Sequence, residues 1–411
     1  MPLLSQKRRQ KEKKVRISKK CQAVQGSITL AIDAKAKQLK AEGKDVVSFG
    51  AGEPDFQTPQ YIIDGAVKAL NEGKTKYTAA AGTPELRKAI CEYTKRNIGT
   101  NYDFDQVVVS NGAKQAILNA LQAILNPGDE VIIFSPFWVS YPEIVKMADG
   151  VPVFVETVEK EGFAIDFEAL NKAINEKTAA IILNTPSNPT GAVVPESDIR
   201  KIAQIAKEHD LMIISDEIYD ALLYDGEKHF SITQIDEETK ERTILINGMS
   251  KAFAMTGWRI GYSISNKQIA KMIANYQSHA TSNPNTIAQY ATLCAIENEN
   301  TDFEKMFNEF DRRRKYMVET VNGIKGLSVH MPKGAFYAMV SIEELIGKKY
   351  NGKVINGSMD FAESLLESTL TAVVPGVAFG ADKHIRLSYA TSMENIEKGL
   401  SRIKAFAEGL E

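Results

Sequence analysis

The chain has 411 residues, more than a single hydrophobic core usually serves, so two domains are expected. At 44% hydrophobic and 25% charged, with a formal net charge of −2, the composition is that of an ordinary globular protein and excludes a disordered or fibrous chain. No apolar run approaches the roughly 18 residues of a membrane span, and Cys21, Cys91 and Cys294 form neither a CxxC motif nor an even set. They argue against a disulfide framework or zinc site and fit a reducing cytoplasm.

In chain order, residues 1–20 come first, with nine Lys and Arg against the single Glu12. No apolar stretch follows this block, so it does not read as a secretory signal. Like charges repel into solvent, and residues 1–25 are expected to form a basic, disordered extension. Residues 28–44 read as a helix ending near Gly43. Gly73-Lys74-Thr75 invites a nucleotide-binding reading, but Lys68 stands where a P-loop needs its first glycine.

From residue 107 the chain alternates short Ile- and Val-rich runs with amphipathic stretches. The runs are 107–110, 130–134, 151–156, 179–184, 211–215, 243–247 and 259–264, and helical patterns such as 112–125 and 196–208 lie between several of them. That alternation predicts an α/β sheet covered by helices on both sides. After residue 300 come a long helical stretch, FYAMV (336–340), a helix near 359–368, TAVV (371–374), HIRLSYA (384–390) and a terminal helix from 394. This part reads as a smaller α+β domain.

Several junctions in this pattern carry chemistry. Lys251 directly follows a strand, within Gly248-Met-Ser-Lys251-Ala-Phe-Ala-Met-Thr-Gly-Trp-Arg259. Small and apolar neighbours let its ammonium be partly desolvated, which favours the neutral, nucleophilic amine. Arg259 offers a planar fork suited to a phosphate. On composition alone, a loop lysine with a salt-bridged arginine is as good a reading. Ser215-Asp216-Glu217-Ile218-Tyr219 sets a carboxylate at a strand's carboxyl end, where open α/β sheets build sites; a plain helix cap is the alternative. Asn184-Thr-Pro-Ser-Asn188-Pro-Thr-Gly191 is a loop by composition. Asn111-Gly112-Ala113-Lys114 opens a helix, whose free N–H groups attract anions. Trp138, after the run 130–134, reads first as core.

Taken together, these segments resemble the class I pyridoxal-phosphate-dependent aminotransferases, and the resemblance runs from about residue 25 to the C-terminus. It implies fold type I: a large domain with a mainly parallel seven-stranded sheet covered by helices, plus a smaller α+β domain. The expected divisions are a segment 26–60 packing with the small domain, a large cofactor-binding domain 61–300 and a small domain 301–411. It also implies pyridoxal 5′-phosphate as cofactor, bound by Lys251 as a Schiff base. By resemblance Asp216 partners the ring nitrogen, while Tyr219 and Asn188 contact the phenolic oxygen. Gly112, Ala113 and Lys114, with Ser250 and Arg259, hold the phosphate, and Trp138 stacks on the ring. Tyr77 is expected to reach the phosphate of a neighbouring subunit, which implies a homodimer. The α-carboxylate of the substrate falls to Arg386, assisted by the Gly52 N–H and Asn188.

No arginine lies between Arg259 and Arg312, so the partner-chain arginine of animal-type aspartate aminotransferases has no counterpart. Lys114 and Thr29 instead match a bacterial aspartate aminotransferase subgroup. The implied substrates are L-aspartate and 2-oxoglutarate, with an aromatic or prephenate aminotransferase as the alternative. Neither a nucleic acid nor a membrane is an expected partner: the basic head is too short for a helix-turn-helix domain, and no apolar run is long enough for a span.

Overall fold

The computed structural model describes residues 15–298 and 302–411. Its centre is an eight-stranded sheet of β1 (Val107–Ser110), β2 (Glu130–Ser135), β3 (Val151–Val158), β4 (Ala164–Ile165), β5 (Thr178–Asn184), β6 (Met212–Asp216), β7 (Thr243–Gly248) and β8 (Gly261–Ile264). The spatial order is β1-β8-β7-β6-β5-β2-β3-β4. Strands β3, β2, β5, β6 and β7 pair in parallel, while β8 runs antiparallel to both β7 and β1. All seven expected strands form. The eighth, β4, is a two-residue antiparallel addition to the edge of β3, too short to leave an apolar run in the sequence.

Adjacent residues on these strands are buried on opposite faces. Ile133, Ile182 and Ile214 pack beneath helix Ala113–Ile124, whereas Ile132, Ile181 and Ile213 pack beneath helix Glu196–Glu208. A strand covered on both faces has no polar side to alternate with, which is why these runs are continuously apolar.

The C-terminal part is built on a four-stranded antiparallel sheet of β9 (Ser328–Val329), β10 (Tyr337–Ser341), β11 (Val374–Pro375) and β12 (His384–Ser388), in the order β9-β10-β12-β11. Helices Phe303–Asn322, Ser358–Thr369 and Met393–Glu408 cover it. The N-terminal segment joins this part: Val47–Ser48 pairs in parallel with Thr371–Ala372, and helix Ile28–Ala41 buries Ala36 and Leu39 against Ala372.

Of the basic extension, residues 1–14 lie outside the described residues. Lys19–Ala23 forms a short helix, Lys20 pairs with Asp149 at 2.8 Å, and the Gln25 amide donates to Glu143. This portion packs beside helix Tyr141–Met147, where Glu143 and Asp149 present acids to it. Among the described residues no helix is long and apolar enough to cross a membrane.

Candidate active site

The carboxyl ends of β2, β5, β6 and β7 open into a cavity of about 660 Å³, closed from the other side by residues 50–53, Tyr337 and Arg386. Parallel strands aim their last residues into one crevice, so side chains far apart in sequence converge there.

Lys251 stands in the turn after β7. Further along this turn, Ala254 (φ 50°) and Arg259 (φ 58°) adopt the left-handed region, which costs a non-glycine residue about 1 kcal/mol. Such local strain is tolerated where it aims side chains. The Lys251 Nζ donates to the Gly52 carbonyl and lies 5.7 Å from the Tyr219 ring centre and 5.5 Å from that of Phe336. Burial in this half-apolar floor pulls its ammonium down to about 8; Glu53 opposes that shift, and Arg386 and Arg259 add to it. More of the amine is then free near neutrality than in an ordinary lysine.

Asp216 ends β6, almost fully buried, and accepts a 2.6 Å hydrogen bond from the Tyr141 hydroxyl and a longer one from the Ile218 amide. Burial pushes its carboxyl up to about 6, against the pull of these two donors. The buried Tyr219 hydroxyl lies 2.9 Å from that of Tyr337 on β10.

At the start of helix Ala113–Ile124, Gly112 adopts φ 85°, and a Cβ there would run into the Arg259 guanidinium. Across from it, a Cβ on Gly261 would strike the Ala113 amide. The two glycines thus let β8, the helix start and Arg259 close into a cup. The Gln115 N–H is taken by the Gly112 carbonyl, but those of Ala113 and Lys114 have no acceptor among the described residues and, with the guanidinium and the buried Ser250, suit the cup to an anion. Lys114 reaches the other way, its Nζ 5.0 Å from the centre of the Trp138 ring. Desolvation in the cavity wall and the nearby Arg259 lower its pKa, although the residue remains exposed.

Arg386, on β12, is 3% exposed. Its guanidinium donates to Asn188 Oδ1 at 3.0 Å and to the Gly50 carbonyl at 3.1 Å, and it lies 4.4 Å from the Tyr337 ring centre and 4.9 Å from that of Phe379. Its buried Nε has no acceptor among the described residues. A cationic fork so held is suited to a carboxylate.

The cavity thus joins a nucleophilic amine, a buried carboxylate, an anion cup and a fixed guanidinium, a set suited to amino-group chemistry on a carboxylate-bearing substrate. A sequence profile of the family described as "Aminotransferase class I and II" matches residues 44–403. The chain belongs to this aminotransferase family. The aspartate aminotransferase of Bacillus subtilis (strain 168) is 46% identical over 394 residues, 96% of this chain and 99% of that protein. The aspartate/prephenate aminotransferase of Thermus thermophilus is 46% identical over 94% of this chain and 97% of its own length. The crystal structure of the aspartate aminotransferase from Rhizobium meliloti superposes with a TM-score of 0.93 at 40% identity, covering 97% of this chain and all of the other.

This aminotransferase gathers most of its sequence-predicted site residues around one cavity. Thr29, Gly52, Ala113, Lys114, Trp138, Asn188, Asp216, Tyr219, Ser250, Lys251, Arg259 and Arg386 line it, and Gly112 shapes the cup. Tyr77 does not line it and stands 89% exposed on the surface. Tyr141 and Tyr337 were assigned no role from the sequence. Tyr141 stands three residues beyond Trp138 and Tyr337 lies in FYAMV, but a tyrosine among apolar residues reads as core until its hydroxyl partner is known.

Proposed function

We propose that this aminotransferase uses pyridoxal 5′-phosphate to move the amino group of L-aspartate to 2-oxoglutarate, forming oxaloacetate and L-glutamate in ping-pong order. The observation that carries this reading is a pair of cations, Arg386 and Lys114, lining one cavity with the Lys251 amine. A dicarboxylic amino acid presents a carboxylate to each. The relatives described above as aspartate aminotransferases support the same substrate.

The side chains fit the cofactor. The Gly112–Arg259 cup and Ser250 suit its phosphate, Asp216 its ring nitrogen, Tyr219 and Asn188 its phenolic oxygen, and Trp138 its ring face. When bound, the cofactor supplies an electron sink for the pair left on the substrate's α-carbon. Arg386, the Gly52 N–H and Asn188 bind the α-carboxylate and set the α-hydrogen towards Lys251. Lys114 and Thr29 take the distal carboxylate. The freed Nζ of Lys251, poised near neutrality, removes and returns the proton. Asp216 stays anionic opposite the ring nitrogen and holds a proton there.

Residues 26–60 are assigned with the small domain 301–411 against the large domain 61–300. The active unit is read as a cytoplasmic homodimer, with the exposed Tyr77 reaching the neighbouring site. A coupled assay tests the substrate: aspartate and 2-oxoglutarate should yield oxaloacetate and glutamate at equal rates. Faster amination of prephenate or of aromatic oxo acids would favour the second reading, which the name of the Thermus relative supports. No turnover of any amino acid with 2-oxoglutarate would defeat both.

A further inference from the structure

Behind Asp216 lies a second group of buried charges that the reaction above does not use. Along the end of β6, Ser215 and Glu217 meet through a 2.8 Å hydrogen bond, whereas Asp216 between them turns to Tyr141. Glu217 is 2% exposed. One of its oxygens accepts from the hydroxyls of Ser215 and Ser231, and the other lies 2.6 Å from Nε2 of His229, whose side chain is 10% exposed. Asp220, half-buried one turn on, accepts from the Asn247 amide at 2.8 Å.

Three carboxylates therefore crowd into five residues of chain. Burial alone disfavours an imidazolium at His229, yet Glu217 in contact and Asp220 nearby outweigh it and raise the ring above its ordinary value. Among the described residues, phenols also face the cluster: Tyr102 and Tyr262 towards Glu217, and Tyr93 and Tyr262 towards Asp220. Burial keeps all three neutral. Glu217 itself raises the carboxyl of Asp216. An uncompensated carboxylate directly behind Asp216 would make its anion harder to keep.

We propose that His229 is a positioning residue for the transamination site: as a buried cation it balances Glu217 and Asp220, and so lets Asp216 keep its negative charge towards the cofactor's ring nitrogen. The proposal rests on the reading of Asp216 as that nitrogen's partner. It assigns the His229–Glu217 pair an electrostatic task that a purely structural pair would not have.

The first test is nitrogen NMR of the imidazole rings in the holoenzyme, with His229 assigned by its loss in His229→Gln. A doubly protonated His229 ring at neutral pH is expected; a neutral ring would overturn the proposal. The second compares cofactor dissociation and the pH midpoint of the visible absorption band in wild type, His229→Gln and Glu217→Gln/His229→Gln. The single variant should bind cofactor about tenfold more weakly and move the midpoint by about one unit. The double variant, which removes both charges, should return to within about threefold. Equal defects in both would mark the pair as structural and sink the idea. Asp216→Asn separates the layers. If it leaves cofactor affinity and the band unchanged, the assignment of Asp216 is wrong and the proposal falls with it. If it abolishes both while His229→Gln changes neither, only the role of His229 fails.

Discussion

Arg386 and Lys114 are both cations of the same cavity, yet the fold holds them in opposite ways. Arg386 is fixed on a central strand of the small sheet, tied to Asn188 and Gly50 and flanked by two aromatic rings. Lys114 extends from a helix start with an aromatic face as its described contact. A guanidinium held on several sides selects one carboxylate geometry, whereas a flexible ammonium acts as a movable point charge. The contrast matches the roles proposed for them. Every amino acid carries the same α-carboxylate, but aspartate and glutamate place the distal one at different distances. On the proposed assignment, rigidity serves the constant group and freedom the variable one.

The comparison can be broken or sharpened by substitution. Lys251→Ala, which removes the amine both cations serve, should reduce multiple-turnover transamination by about 10⁴-fold or more for all substrates. Steady-state assays check this, and substantial retained turnover would refute the assignment. Arg386→Lys should lower kcat/KM by about 10²–10³-fold for every amino acid, since the fork is lost from a buried site. A loss confined to dicarboxylates would reverse the assigned roles. Lys114→Ala should cost about 10- to 30-fold in kcat/KM for aspartate and glutamate but less than about threefold for alanine. Uniform losses would make Lys114 part of the cofactor cup alone.

Two smaller effects follow. Tyr141→Phe removes one hydrogen bond to a buried carboxylate, so cofactor affinity should fall about tenfold, measured by equilibrium titration. Raising the pH should separate the two cations. The pKa of Lys114 is lowered, so its charge is lost earlier than that of an ordinary lysine, while the guanidinium of Arg386 remains charged. The kcat/KM ratio of aspartate over alanine should therefore decline towards alkaline pH. The titration of Lys251 affects both substrates and cancels in that ratio, and a constant ratio would argue against a distal contact with Lys114.

Much of this arrangement was legible in the sequence because local signals coincided with global ones. Continuous apolar runs such as 107–110 and 243–247 became strands buried on both faces, and helix Glu196–Glu208 occupies the expected residues 196–208. Lys251, Asp216 and Asn188 were readable as residues at or just beyond strand ends. Strand β4 escaped because two residues have no period, and β8 starts at Gly261 because Arg259 adopts a left-handed conformation that ends the turn. The hydroxyl partners Tyr141 and Tyr337 and the ion pair of Glu217 with His229 were not legible. Their meaning lies in contacts across 75, 118 and 12 residues of chain that no local pattern encodes.

The most direct test of the account is to add pyridoxal 5′-phosphate to the purified protein, reduce with borohydride and map the labelled peptides by mass spectrometry. The account predicts one stable adduct, on Lys251, whose formation is prevented when L-aspartate has first converted the cofactor to its aminated form. An adduct on another lysine, or none at all, would contradict it.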